Sequence, residues 1–233
     1  MLQLSKQRED ILSKIVTGET RVGIVFNQAI RPAHESGFEI KNGKLDGSLL
    51  FAMDSAADYY LVADSDKNIY LIDRNSTGFK SIPLSTVEKT RSSAELSFSQ
   101  VEGDKISDDP DIFDEAWNAG LVGLAADNLG AAQYALDQAV EYANQREQFN
   151  RVIASFQAVK HMCAEMAAQL EPCRAMVWYA AHAFNDIPEE STMMASHTKA
   201  HLSEVGQFVT RTSTEVHGGM GFTDLVGLHY WFK

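Results

Sequence analysis

Long apolar runs are missing from this 233-residue chain, and so is any concentration of positive charge. No stretch approaches the roughly 18 apolar residues of a membrane span, so we expect no membrane-spanning segment. Acidic residues outnumber basic ones, 32 to 20, for a formal charge of −12. Phosphate neutralisation needs clustered Lys and Arg, so we expect no nucleic-acid partner. Cysteine is scarce: Cys163 and Cys173 are the two in the chain. Ten positions apart on one helix, they would stand about 15 Å from each other, beyond disulfide reach. They read as small core residues of a protein in the reducing cytoplasm. The opening MLQLSKQREDILSKIVTGE is charged throughout and has no apolar core of the kind a secretory signal needs, so we expect none.

What is present divides into two halves by composition. With 45% hydrophobic and 22% charged residues, the chain has enough apolar material for one or two packed domains. Residues 21 to 101 hold short β-rich runs: RVGIVF (21–26), GFEIKNGKLDG (37–47), DYYLVADSDKNIYLID (58–73) and SAELSFSQV (93–101). Between them stand Asn-Gly, Asp-Gly, Ser-Asp-Lys-Asn and Asn-Ser-Thr-Gly, residues that accept positive φ or close side-chain turns. Tyr60, Val62, Ile69 and Leu71 alternate with residues facing the other way, as a half-buried antiparallel sheet requires. This half reads as a small antiparallel β-barrel or sandwich.

After EGDKISDDPD (102–111), an acidic polar linker, the period changes. Between Ala116 and Arg146 the set Leu129, Ala132, Leu136, Val140 and Ala143 recurs at helical steps. Phe156, Val159, Cys163, Met166, Leu170, Cys173, Val177, Ala181 and Phe184 form a longer stripe, suited to a helix packed nearly antiparallel in a bundle. Pro172 interrupts it and removes one backbone hydrogen bond. After NDIPEES a third helix, about Ser191 to Val216, points Met194, Val205 and Phe208 to the same core. The second half reads as an α-helical bundle of four-helix type, so the fold class is α+β and multidomain.

The segment LAADNLGAAQYALDQAVEYANQREQFNRVIASFQAVKHMCAEMA (124–167), followed after a long helix by EVHGGMGFT (215–223), resembles the C-terminal helical domain of the acyl-CoA dehydrogenase family. LDGSLLFAMDSAADYYLVA (45–63) resembles that family's middle β-domain, and ILSKIVTGE (11–19) the end of its N-terminal helical domain. The resemblance covers nearly the whole chain in the family's order. It implies a remnant of the N-terminal domain at 1–20, a β-domain at 21–107 and an incomplete bundle domain at 108–233. It further implies FAD as cofactor and an acyl-CoA substrate oxidised to the 2,3-enoyl-CoA. Expected partners are acyl-CoA dehydrogenase-like subunits, in a homo- or hetero-oligomeric dimer or tetramer, and an electron-accepting flavoprotein.

In that family the Arg-x-Gln-Phe element, the downstream Phe-Gln and the His-Gly-Gly turn grip the ADP half of a neighbouring subunit's flavin. The resemblance therefore assigns cofactor binding to Arg146, Gln148, Phe149, Phe156, Gln157, Glu215, Gly218 and Gly219. Arg146 would offer a permanently charged fork to the pyrophosphate, Phe149 an apolar wall and Gln157 an amide. Gly218 and Gly219 would let backbone N–H groups approach an anion with no Cβ in the way. Taken singly, Gly-Gly after a helix reads as a C-cap and Arg146 as a helix-end cation beside Glu147. The family's aromatic-hydroxyl element aligns with Phe51, Ala52 and Met53, which makes Phe51 a further flavin contact.

Three departures bear on function. Glu215 stands where the family has Gln, placing a carboxylate where it repels pyrophosphate. Asn150 stands where the family has Gly. The loop of Thr-Glu-x-x-Ala-Gly-Ser-Asp type that lines flavin and acyl-CoA is replaced by IVFNQAIRPAHESGF (24–38). Family enzymes remove the acyl α-proton with a carboxylate while hydride leaves the β-carbon. That Glu lies beyond residue 233 in most members and at about Gly120 in others, so no catalytic residue is assigned; Glu115 and Asp127 are near but lie on other helical faces. The alternative is a non-catalytic subunit that completes the flavin site of a related full-length chain in a heteromer. His197 and His201 form an i, i+4 pair that lacks a third ligand and the Glu of a zinc-helix motif, so no metal site is assigned.

Overall fold

The computed structural model describes residues 6–30, 37–88 and 90–231. Two compact units emerge, Met1–Phe113 and Asp114–Lys233. Within IVFNQAIRPAHESGF, positions 31–36 lie outside the described residues.

The first unit opens with α1 (Lys6–Thr17) and continues as eight strands with a four-residue helical turn, α2 (Asn27–Ile30), after the first. One sheet has the order β1–β4–β5–β8, from β1 (Val22–Val25), β4 (Tyr59–Ala63), β5 (Ile69–Asp73) and β8 (Asp104–Ser107). The other has the order β2–β3–β7–β6, from β2 (Gly37–Lys41), β3 (Lys44–Met53), β7 (Ser93–Val101) and β6 (Phe79–Leu84). Both sheets send side chains into one core that includes Phe38, Leu49, Tyr60, Val62, Ile72, Leu96 and Phe98. Tyr60 of one sheet lies 5.4 Å from Phe79 of the other, ring to ring. The arrangement is a sandwich of two open sheets.

Asn42 and Gly43, both at positive φ, close the β2–β3 hairpin as their residue types demand. Three features differ from the sequence reading. The β1–β4 pair is parallel, because the chain between them passes through the whole β2–β3 hairpin. Strand β5 is buried at Ile69, Tyr70, Leu71 and Ile72 alike; as an inner strand covered on both faces it does not alternate. The segment read as an acidic linker contains β8, a mostly exposed edge strand that buries too little to leave an apolar pattern.

Gly78 at the start of β6 tests this architecture. Its φ is +85°, and a Cβ there would stand 2.0 Å from the Ser99 carbonyl oxygen. Backbone cannot yield as a flexible side chain does, so Gly78→Ala is expected to destabilise the unit by about 1–3 kcal/mol, measured as the shift in its denaturant-unfolding midpoint.

The second unit is built on α3 (Pro110–Gln145), α4 (Gln157–Asp186) and α5 (Pro188–His217). Asn118 donates to Thr192 Oγ1, Asn128 to the Leu202 carbonyl and Ser213 to the Ala135 carbonyl, so α3 and α5 run parallel. Thr198 donates to the Met176 carbonyl and Tyr179 to Glu190, so α4 runs antiparallel to α5. The shared core includes Leu129, Ala132, Leu136, Ala143, Met166, Leu170, Cys173, Val177, Leu202, Val205 and Val209. Val140, expected in the stripe, is 40% exposed, and Ala135 and Ala139 take the buried positions instead. Helix α4 passes through Pro172 without interruption, with the proline on its exposed side. Burial raises both thiols, Cys163 and Cys173, above their usual pKa, as befits core residues. Among the described residues no helix is long and apolar enough to cross a membrane.

Candidate functional site

Because α3 and α5 are parallel and α4 is antiparallel to α5, the C-termini of α3 and α5 and the N-terminus of α4 share one end of the bundle. The three segments singled out in the sequence all fall there. The first follows α3 directly. Glu147–Gln148 (β9) and Arg151–Val152 (β10) form a two-residue-loop hairpin, with Arg151 opposite Gln148 and Val152 opposite Glu147. The loop residues Phe149 and Asn150 have φ of +55° and +61°, the double positive φ of a type I′ turn. Asn tolerates that conformation readily; Phe149 does so under strain while 87% exposed. The Ile153 N–H donates to the Arg146 carbonyl at 2.8 Å, which ties Arg146 to the base of the ribbon.

Phe156 follows, half-buried, as the residue capping α4, and no side chain caps the helix. Its ring meets Phe149 edge-on at 6.1 Å and carries the Arg151 guanidinium 3.9 Å above its centre. Gln157 is the first residue of α4 and is exposed. The free N–H groups of that first turn and the positive end of the helix dipole face outward at this point.

Gly218 and Gly219 supply the third segment. Gly218 ends α5 with φ 57° and ψ −137°, a region that favours glycine, and a Cβ on either glycine would meet nothing within 4 Å. The buried His217 ring before them stacks on Tyr142, centroids 4.5 Å apart, one turn ahead of Arg146. His217 Nδ1 donates to the Ser213 carbonyl at 2.7 Å, so the ring is held from both sides. This stack fixes the glycine turn beside the end of α3. Glu215 lies exposed in the last turn of α5, and its carbonyl accepts the Gly218 N–H.

Arg146 is exposed and makes neither an ion pair nor a side-chain hydrogen bond among the described residues. A guanidinium without a partner among the described residues, an uncapped helix start and a turn without side chains share this end of the bundle, groups suited to an anion flanked by an apolar ring. Phe51 sits on β3 of the first unit, 61% exposed with φ +62°, where the β3–β7 register shifts between Leu49 and Ala52.

Comparison with known proteins gives the end of the bundle a lineage. Residues 112–233 match the acyl-CoA dehydrogenase C-terminal domain. The chain belongs to the acyl-CoA dehydrogenase family. Acyl-CoA dehydrogenase IpdE2 of Mycobacterium tuberculosis is 30% identical over 93% of this chain and 64% of its own length. The 3-sulfinopropanoyl-CoA desulfinase of Paraburkholderia xenovorans is 43% identical over 46% of this chain and 27% of its own. Butyryl-CoA dehydrogenase from Megasphaera elsdenii superimposes with a TM-score of 0.82 and 25% identity, covering 97% of this chain and 66% of that one. The chain therefore spans less than two thirds of the curated relatives it matches. Asn150 stands at a φ of +61°, which glycine accepts without cost and Asn accepts next most readily.

The sequence reading passed over Arg151 and Tyr142 as parts of this end, and took His217 only as the head of the His-Gly-Gly turn. The Phe-Asn pair was the available signal for a tight hairpin that returns Arg151 toward Phe156. The Tyr142–His217 stack joins two helices and leaves no local signal. His197 and His201 are both on the exposed side of α5.

Proposed function

We propose that this chain is part of an FAD-dependent acyl-CoA dehydrogenase that oxidises an acyl-CoA thioester to the 2,3-enoyl-CoA. The observation that supports it most is the meeting of the Arg146 hairpin, the Phe156–Gln157 helix start and the Gly218–Gly219 turn at one end of the bundle. In this reading that end holds the ADP half of FAD in a site shared with a neighbouring acyl-CoA dehydrogenase-like subunit. The residues present fit such a group: the open space at the two glycines lets phosphate oxygens approach the main chain, and Arg146 has no competing partner among the described residues.

Each residue then has a task. Arg146 neutralises pyrophosphate charge, and Gln148 and Gln157 donate amide hydrogens. Phe149 and Phe156 form an apolar wall that excludes water. The turn at Gly218 and Gly219, open where side chains would stand, lets a phosphate oxygen approach the main chain. FAD, when bound, supplies two-electron acceptance of the hydride from the acyl β-carbon. The α-proton requires a carboxylate. Gly120, at the position where some family members carry that base, has no side chain and open space around it, so no carboxylate is assigned to that proton there. A separate electron-accepting flavoprotein would be the partner that such an enzyme requires. The enzyme names borne by the relatives favour this reading over a purely assembling role.

Anaerobic addition of acyl-CoA thioesters of graded length to the complete flavin-loaded assembly tests it. Bleaching of the visible flavin band with at least one thioester is expected, and a band that persists with all of them would overturn the dehydrogenase reading. Glu215 adds a second check. Its carboxylate opposes the diphosphate across the glycine turn, so Glu215→Gln is expected to tighten FAD binding about fivefold, ~1 kcal/mol, in a fluorescence titration.

A further inference from the structure

We propose that Arg151, stacked on Phe156, is a second cation of the diphosphate site and offsets the charge of Glu215. This inference rests on the flavin reading above and adds a residue to it. Three observations support it. The type I′ hairpin returns the chain so that Arg151 stands opposite Gln148, which puts both side chains on one side of the ribbon and leaves Glu147 and Val152 on the other. The guanidinium lies over the Phe156 ring at 3.9 Å, which engages its face and leaves its in-plane N–H donors free. Among the described residues none of those donors meets a carboxylate or carbonyl, although Glu147 is close along the ribbon.

A stacked guanidinium loses little freedom when it forks onto an oxyanion, since its plane is already set. Phe156 caps α4, so the same stack places Arg151 at the uncapped helix start, where the dipole already favours an anion. With Arg146 at the base of the ribbon, the hairpin offers two positive charges, one of them held by the Phe156 ring, to a ligand carrying two phosphates. Glu215 removes one unit of charge from that environment, and Arg151 restores it. The ligand class is an adenosine diphosphate moiety.

The test measures FAD affinity of the purified assembly for wild type, Arg151→Gln, Arg151→Lys and Arg146→Ala, with ADP and adenosine as competitors. Arg151→Gln is expected to weaken FAD and ADP about tenfold, as loss of one charge-assisted contact does, and to leave adenosine unchanged. Arg151→Lys keeps the charge and is expected to recover part of the loss. If adenosine weakens as much as ADP, Arg151 only props the aromatic wall and the proposal fails. If Arg146→Ala weakens FAD while Arg151→Gln does not, this inference fails and the flavin reading stands. If neither substitution changes FAD binding, both fail.

Discussion

Arg146→Ala is expected to lower FAD affinity by about one to two orders of magnitude, the range for losing charged hydrogen bonds to a phosphate, with no change in the unfolding midpoint. The two halves of that expectation have separate physical grounds. Arg146 is exposed and has no partner among the described residues, so its side chain contributes little to folding, within about 0.5 kcal/mol for a surface position. Its backbone contribution, the carbonyl that accepts the Ile153 N–H, survives the substitution. Flavin content after gel filtration and a denaturant titration on the same sample separate the two. A lowered midpoint together with flavin loss would make Arg146 a structural residue, and unchanged flavin content would remove it from the site.

Leu202→Ala is expected to destabilise the helical unit by about 3–5 kcal/mol, the cost of a cavity at a site that cannot collapse. Leu202 is fully buried in α5, and the Asn128 amide donates to its carbonyl from α3 at 3.0 Å. That hydrogen bond holds the two parallel helices in register and limits how far either can move into the void. Leu225→Ala, at a position 84% exposed, is the control and is expected to shift the midpoint by less than about 0.5 kcal/mol. Because α3 and α5 align the Arg146 and Gly218 ends, partial loss of flavin at temperatures below unfolding should accompany Leu202→Ala and not the control.

Local signals carried much of the fold. The Asn42-Gly43 turn and the period change near residue 110 suffice to separate a β half from a helical half, because turn chemistry and burial period are properties of neighbouring residues. Strand β6 and strand β8 escaped because β6 buries only Phe79 and β8 buries none of its side chains, and the parallel β1–β4 pair escaped because it joins segments distant in sequence. Val140 kept helical spacing but not burial, since a helix in a bundle buries a stripe whose direction depends on its partners. Motif order made the Arg146, Gln157 and Gly218 segments legible as one site. Their meeting depends on the relative direction of three helices, and the Arg151–Phe156 stack on a hairpin whose two-residue strands are too short to show a period.

The most direct measurement is the visible absorption spectrum of the purified protein across a sizing column, alone and with a co-expressed dehydrogenase-like partner. The account predicts a flavin band that elutes with an oligomer and diminishes in Arg146→Ala. An oligomer without flavin in both preparations, unchanged after FAD is added, would contradict it.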